Sequence, residues 1–245
     1  MSASGVKMDV EEVIARTKKR YSLLETYEDE GVFEQRSYGR IYKHTFRTSF
    51  SRPGNLLFQT QCVKPDETHF APLEKFGVRL VMKAGKAVSR FSHAVGETDH
   101  SDVAIWSAVS SSRDIFRLVV PLLLPDVAVS PLLNQKFRLI PDRSGANDSY
   151  HLWCLEKRFH IWIDKDDMII RRFKQEYADS GLKDLWNETF PQFHTQSQGD
   201  LSAVFDEVRC DQPIAESVFS FDDYVSEPVA VESAVALFKK MFSLK

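Results

Sequence analysis

The densest group of side chains that could do chemistry is formed by Glu97, Asp99, His100 and Asp102. Carboxylates bind hard divalent cations, and with His93 and a further acid they would form a hydrolytic metal site. The same string is also typical of a polar loop that ends in the N-cap of a helix. No second His or Glu motif completes a metal site, so we predict a loop here, with no metal ligands and no catalytic residues.

The motifs of the common enzyme classes do not occur in the chain. It has no Gly-rich phosphate loop, no G-x-S-x-G, no H-E-x-x-H and no EF-hand loop. The histidines are scattered singly, and His44, on the apolar side of its strand, is expected to be a hydrogen-bonded core or rim residue. We therefore predict a protein that is not an enzyme and needs no cofactor.

Composition and charge exclude several kinds of partner. The 32 basic and 35 acidic side chains give a net charge of -3, and the longest basic run is Lys18–Arg20, so nothing indicates nucleic-acid binding. No apolar run reaches the roughly 18 residues of a transmembrane helix. Cys62, Cys154 and Cys210 lack the close pairing of a zinc site.

Helical periodicity predicts four helices along the chain. Asp9 and Glu12 form a capping-box pattern ahead of an apolar series at helical spacing. Ser101 and Asp114 are predicted caps of two further helices, and Pro121 should kink or shorten the second one. The segment 227–245 is predicted to be an amphipathic C-terminal helix. The stretch from Leu122 to Leu133 is unusually apolar for a loop region.

Elsewhere the hydrophobic pattern has a period of two, which predicts strands. The predicted strands are 26–36, 42–50, 56–62, 78–82, 86–91, 136–140, 150–155, 158–164, 168–177, 192–198 and 203–210, with a turn at Gly199–Asp200. The predicted fold class is mostly β, α+β, with a curved antiparallel sheet or incomplete β-barrel wrapped over helices. Residues 1–8 are expected to be a disordered or non-native start, and 9–226 a single domain.

Four stretches, in this order, resemble the LolA-like family. Tyr21–Gly31 is similar to its Y-x-x-L-x-x-Y stretch, and Phe50–Phe58 to its F-x-R-P hairpin. Phe159–Asp164 followed by Met168–Arg172 looks like its W-I-D and L-I-R-R hairpin, and Pro213–Phe221 like its I-P-x-x-x-F-x-F ending.

The resemblance implies an open antiparallel barrel over helices, with a hydrophobic cavity and an exported, periplasmic or envelope location. The numbered chain shows no signal peptide, which leaves a cytoplasmic location open. In the carriers LolA and LolB the cavity takes the acyl chains of lipoproteins, and other relatives sense envelope lipids or lipoproteins. Arg47 and Arg79 are the candidates for the arginine of the carriers' cavity. The C-terminal helix is an addition to the family pattern, and no lipobox cysteine is present.

The predicted ligand is hydrophobic, because apolar strand faces and helices are the material from which such pockets are built. The residues predicted to line the cavity are Tyr42, Phe46, Phe50, Phe58, Leu80, Met82, Trp106, Leu118, Leu122, Trp153 and Trp162. Trp162 would serve equally as a packing residue. The leading hypothesis is binding of a lipid, acyl chain or other hydrophobic molecule, with lipoprotein or lipid transport as the role. The alternative is a sensory or protein-interaction module of the envelope whose core is self-filled.

Overall fold

The amino-terminal helix begins where the sequence predicts it. The computed structural model describes residues 8–37, 40–64, 77–91, 104–106, 108–109, 112, 114–127, 129–141, 148–177 and 199–221. Helix α1 spans Val10–Ser22, and the Asp9 carboxylate accepts a 2.8 Å hydrogen bond from the N–H of Glu12. Val13, Thr17 and Tyr21 lie four residues apart and are buried, so they form one face of the helix.

Helix α2 spans Ile115–Leu123, and its start differs from the prediction. Ser112 Oγ accepts a 3.2 Å hydrogen bond from the N–H of Phe116, whereas Asp114 has a φ of 72°. The predicted Asp114 cap is therefore wrong, because the chain makes a left-handed turn at this residue and the capping oxygen comes from Ser112. Pro121 lies inside the helix, which ends two residues later. None of the described helices is long and apolar enough to cross a membrane.

Ten strands form one antiparallel sheet among the described residues. They are β1 Thr26–Ser37, β2 Arg40–Ser51, β3 Asn55–Lys64, β4 Val78–Lys83, β5 Lys86–Phe91, β6 Arg138–Ile140, β7 Ser149–Cys154, β8 Phe159–Asp164, β9 Ile170–Tyr177 and β10 Gly199–Cys210. Their order is β5-β4-β3-β2-β1-β10-β9-β8-β7-β6, which leaves the sheet open, with β5 and β6 as its terminal strands. This confirms the predicted fold class of an α+β, mostly β protein.

The predicted turn at Gly199–Asp200 is wrong. Gly199 pairs with Tyr177 and Asp200 with Glu176, so both residues belong to the start of β10. Continued hydrogen bonding to β9 outweighs the local turn preference of a Gly-Asp pair. The predicted strand 192–198, the predicted cap Ser101 and the segment 227–245 lie outside the described residues.

The chain divides into two units, each with its own packing. Unit 1 comprises residues 1–24, 31–43 and 117–206, and unit 2 comprises 25–30, 44–116 and 207–245. The single domain over 9–226 stays a prediction.

In unit 1, alternate residues of β7 and β8 point into the core. Leu152, Cys154, Phe159 and Ile161 are at most 2% exposed. The Phe159 ring packs at 5.5 Å from that of Phe137. Each fully buried large apolar side chain contributes about 1.5–3 kcal/mol to folding.

A buried hydroxyl of helix α1 bonds to the sheet of this core. Tyr21 is fully buried, and its Oη accepts a 3.2 Å hydrogen bond from the N–H of Ile170 at the start of β9. The contact fixes the C-terminal half of α1 against the sheet.

In unit 2, apolar residues pack on both faces of β3 and β4. On one face the rings of Phe58 and Phe116 meet edge to face at 5.1 Å. On the other face Leu57 and Val81 form a cluster with Phe219, which belongs to a 3₁₀ turn at Glu216–Phe219. Both faces of these strands are therefore covered within the unit.

We expect Tyr21→Phe to lower the free energy of unfolding by about 1–3 kcal/mol, because the buried N–H of Ile170 would lose its acceptor. Urea denaturation of the two proteins measures the difference. Tyr150→Phe is the matched control, since Tyr150 is only half-buried and its ring contact with Lys165 would remain. An equal loss in both variants would contradict the role of the Tyr21 hydroxyl.

Candidate functional site

The residues predicted to line a cavity occupy three different environments. Six are at most 5% exposed and belong to the core: Phe46, Phe50, Phe58, Leu80, Leu118 and Leu122. Phe58 and Leu80 are cross-strand partners of β3 and β4. Met82 is half-buried, Trp106 is 55% exposed, and the side chain of Tyr42 lies outside the described residues. Trp153 and Trp162 lie on the face of β7 and β8 opposite to the core of unit 1. The role of the predicted set in ligand binding stays a prediction.

Arg47 and Arg79, the candidates for the arginine of the carriers' cavity, lie on the side of their strands opposite to Phe46 and Leu80. Each contacts a partner there. Arg47 alternates with Phe46 and Thr48 along β2, and its guanidinium lies 3.1 Å from the Glu28 carboxylate. Arg79 alternates with Leu80 along β4 and donates a hydrogen bond to the carbonyl of Ser220.

Asp29 is a carboxyl group enclosed in the core of unit 2. It is 1% exposed, and its two oxygens accept hydrogen bonds from the Tyr27 hydroxyl at 2.8 Å and from the Thr48 N–H at 2.9 Å. Burial raises the pKa of Asp29 to about 7, although these hydrogen bonds act in the opposite direction. Because both oxygens are occupied and no solvent reaches them, we assign this carboxyl a structural role.

A groove in unit 1 runs between α1 and the β6–β7 edge of the sheet, with a volume of about 840 Å³. This size falls in the range of roughly 300–1,000 Å³ that is usual for small-molecule sites. Its apolar lining consists of Val10, Ile14, Ala15, Leu133, Phe137, Trp153 and Leu155. Its charged lining consists of Glu11, Lys18, Lys136, Arg138 and Glu156.

The helical face that lines this groove is distinct from the face that packs on the core. Val13 and Thr17 are buried, whereas Val10 and Ile14 are only half-buried. The apolar surface of α1 is thus wider than the part that packs on the core, and the additional residues, Val10 and Ile14, line the groove. Among the predicted cavity residues whose side chains the structure describes, Trp153 alone lines it.

The opposite wall of the groove is the 3₁₀ turn Leu132–Asn134 and the chain that leads into β6. Lys18 Nζ donates a 2.8 Å hydrogen bond to Asn134 Oδ1, and Asn134 in turn donates to Ser130 Oγ at 3.1 Å. These bonds connect the helical wall to the turn. The unusually apolar stretch that ends at Leu133 was the sequence signal for this wall.

Aromatic and imidazole rings cover the outward side of β7 and β8, opposite to Leu152 and Ile161. Two cross-strand rows form this surface, which we call the Trp/His face. The first row is Arg138, Trp153, His160 and Lys174, and the second is Ile140, His151, Trp162 and Arg172. All eight side chains are half-exposed or exposed.

The four rings of the Trp/His face contact one another. His151 stacks on Trp162 with centroids 4.1 Å apart, and Trp153 lies parallel to His160 within 4°. The imidazole nitrogens His151 Nε2 and His160 Nδ1 are 3.0 Å apart, at hydrogen-bond distance. Burial lowers the pKa of His160, and Lys174 acts in the same direction while Glu176 opposes it.

The described residues contain no group of three or more His, Cys, Asp or Glu side chains placed to hold a metal ion. The candidate cluster from Glu97 to Asp102, together with His93, lies outside the described residues.

Comparisons with known proteins were made by sequence and by structure. No family model matches the chain, and no curated protein matches it. A LolA superfamily protein from Nitrosomonas europaea matches in structure with 7% identity and a TM-score of 0.37, over 89% of this chain and 100% of its own. An outer membrane lipoprotein-sorting protein domain from Vibrio parahaemolyticus has 8% identity and a TM-score of 0.35, over 85% of this chain and 95% of its own.

MucB is a third structural match, with 11% identity and a TM-score of 0.45. The match covers 87% of this chain but only 62% of MucB. The chain resembles the LolA-like fold. At these identities and TM-scores the likeness concerns the fold alone and carries no information about function.

We expect the pH dependence of stability to change in Asp29→Asn. The pKa of Asp29 is raised in the folded protein, so the folded state holds a proton that the unfolded chain releases near pH 4. The contribution of Asp29 to stability is therefore complete below pH 4 and is lost as the pH rises toward 7. Asparagine cannot ionise, so wild type should lose up to about 4 kcal/mol relative to Asp29→Asn between pH 4 and 7.

Denaturant unfolding of both proteins across this pH range measures the effect of Asp29. Asp206→Asn, at an exposed position of β10, should leave the wild-type profile unchanged. Parallel profiles for wild type and Asp29→Asn would show that Asp29 ionises normally in the folded state.

Proposed function

We propose that the protein is a non-enzymatic binding protein that takes a hydrophobic ligand, an acyl chain or similar lipid tail, in the groove between α1 and the β6–β7 edge. The observation that carries this proposal is the groove itself, about 840 Å³ in volume, with Ile14, Phe137 and Trp153 among its apolar lining. Apolar walls with a few polar groups are the usual make-up of a small-molecule site.

The distribution of polar groups in the groove suits an amphiphile. Its apolar residues come from three separate parts of unit 1 and face the same space, while Glu11, Lys136 and Arg138 are exposed and charged. A lipid tail would remove the apolar surface from water, at about 25 cal/mol for each Å² buried. The charged residues would stay solvated beside a polar head group.

An envelope location and a role in carrying lipids or lipoproteins are part of this proposal. They follow from the LolA-like motifs Tyr21–Gly31 and Pro213–Phe221, and a carrier would need a site of this kind that is open to solvent.

The second candidate function is that of a sensory or protein-interaction module. The observation that favours it is the close packing in unit 2, where Phe58 and Phe116 meet at 5.1 Å and Leu56 and Leu80 are fully buried. These side chains fill the space between strand and helix that the sequence-based hypothesis assigned to a ligand. A module of this type would have no saturable lipid site.

We expect the full-length protein to bind cis-parinaric acid saturably, and Ile14→Glu to weaken this binding at least tenfold. The substitution places a carboxylate among the apolar residues of the groove, where a lipid tail cannot solvate it. Fluorescence titration measures the dissociation constant.

Leu23→Glu is the matched control, because Leu23 follows the same helix, is 62% exposed and does not line the groove. Its affinity should stay within twofold of wild type. Absence of saturable binding by wild type would overturn the proposal and support the interaction module. Equal losses in the two variants would show that the ligand binds elsewhere.

A further inference from the structure

We infer that the Trp/His face of β6–β9 is a docking surface for a membrane of anionic phospholipids. The inference goes beyond the binding of a tail in the groove, and it touches that proposal at Trp153 and Arg138, which belong to both surfaces.

The first argument is the unpaired positive charge of this face. Arg138 and Arg172 lie on opposite sides of the aromatic rings, both are exposed, and neither forms an ion pair with a described residue. Lys174 is the last residue of the first row. Its ammonium group lies 3.3 Å from the Glu176 carboxylate, and its side chain is 40% exposed. A basic residue close to an anionic leaflet contributes about 1 kcal/mol to binding.

The carboxylates on strands β8 and β9 have cationic partners, whereas Glu11 and Glu156 belong to the groove lining beside Arg138. Glu176 lies near Arg158 as well as Lys174, and Asp164, two residues after Trp162, lies 3.7 Å from Arg171. Among the described residues, the charge on β6–β9 without an ion-pair partner is therefore the positive charge of Arg138 and Arg172. On β10, beyond these rows, Asp200 is paired with Arg36.

The second argument is the type of ring that lies between the cations. Trp and His side chains are amphipathic, with a flat apolar surface and a polar N–H, and such rings favour the boundary between water and lipid. In both rows a tryptophan is the cross-strand neighbour of an arginine: Trp153 of Arg138, and Trp162 of Arg172. A head-group phosphate would meet a guanidinium while the adjacent ring meets the glycerol and upper acyl region.

The third argument is continuity with the groove. Trp153 and Arg138 belong to the first row and also line the groove. A membrane held on the Trp/His face would therefore lie at the mouth of the groove, where a lipid tail would enter or leave. An acidic peptide would satisfy the arginines but would leave the tryptophan rings without an apolar partner.

Vesicle flotation with the full-length protein tests the inference. We expect binding to vesicles of phosphatidylcholine with about 30% phosphatidylglycerol, no binding to pure phosphatidylcholine, and loss of binding at high salt. Arg172→Gln and Trp162→Ala should each lower the bound fraction at least threefold.

Two matched controls separate this surface from general effects. Arg16→Gln removes the same charge from α1, and Trp106→Ala removes an indole that is 55% exposed in unit 2. Both should bind vesicles as wild type does. Equal binding to the two kinds of vesicle, or equal losses in the controls, would overturn the inference, as would capture by soluble polyglutamate without vesicle binding.

The cis-parinaric acid titration distinguishes the two proposals. Arg172 and Trp162 do not line the groove, so both variants should keep the wild-type affinity for the soluble ligand. Vesicle binding that fails while the titration succeeds overturns only the docking surface. A titration that fails while vesicles still bind overturns only the groove.

Discussion

The pleat of the paired strands β7 and β8 is the constraint on which the features of unit 1 depend. Because successive side chains of a strand point to opposite faces, each strand is divided into two sets of residues. Leu152 and Ile161 enter the core, whereas the four rings of the Trp/His face remain outside. Antiparallel register then places Trp153 opposite His160 and His151 opposite Trp162. A shift of one residue would exchange the two faces, so the packing of the core also fixes the outer surface.

Much of the architecture was predictable from local patterns. The capping box at Asp9 and Glu12, the alternation along β2 and the hairpin from Phe159 to Arg172 each depend on residues close in sequence, and each predicted an element that forms. The two errors occurred where a longer-range or geometric effect decided the outcome. The Gly199–Asp200 pair is turn-like by composition but is held in β10 by pairing with β9. Asp114 is a good cap by type but lies in a left-handed turn.

The candidate site was much harder to predict than the fold. Ile14 and Trp153 each have an ordinary local explanation, as a helix-face residue and a strand aromatic, and nothing in either segment indicates that both line one groove. Their meeting depends on how α1 lies on the sheet, which the buried Tyr21 hydroxyl and the Ile170 N–H fix across a long stretch of sequence. Cavity-lining residues are hard to select from sequence for a related reason. An apolar strand residue that packs in the core has the same sequence pattern as one that lines a ligand-binding cavity.

Two hydrogen bonds of α1 have a consequence for the thermodynamics of the proposed binding. Tyr21 holds one part of α1 against the sheet, while Lys18 connects the helix to Asn134 of the opposite wall. With its walls joined in this way, the groove is preorganised, and the entropy of ordering them is lost during folding. A ligand of the proposed kind would lose only its own conformational freedom on binding, so even a short apolar tail would keep most of its transfer free energy.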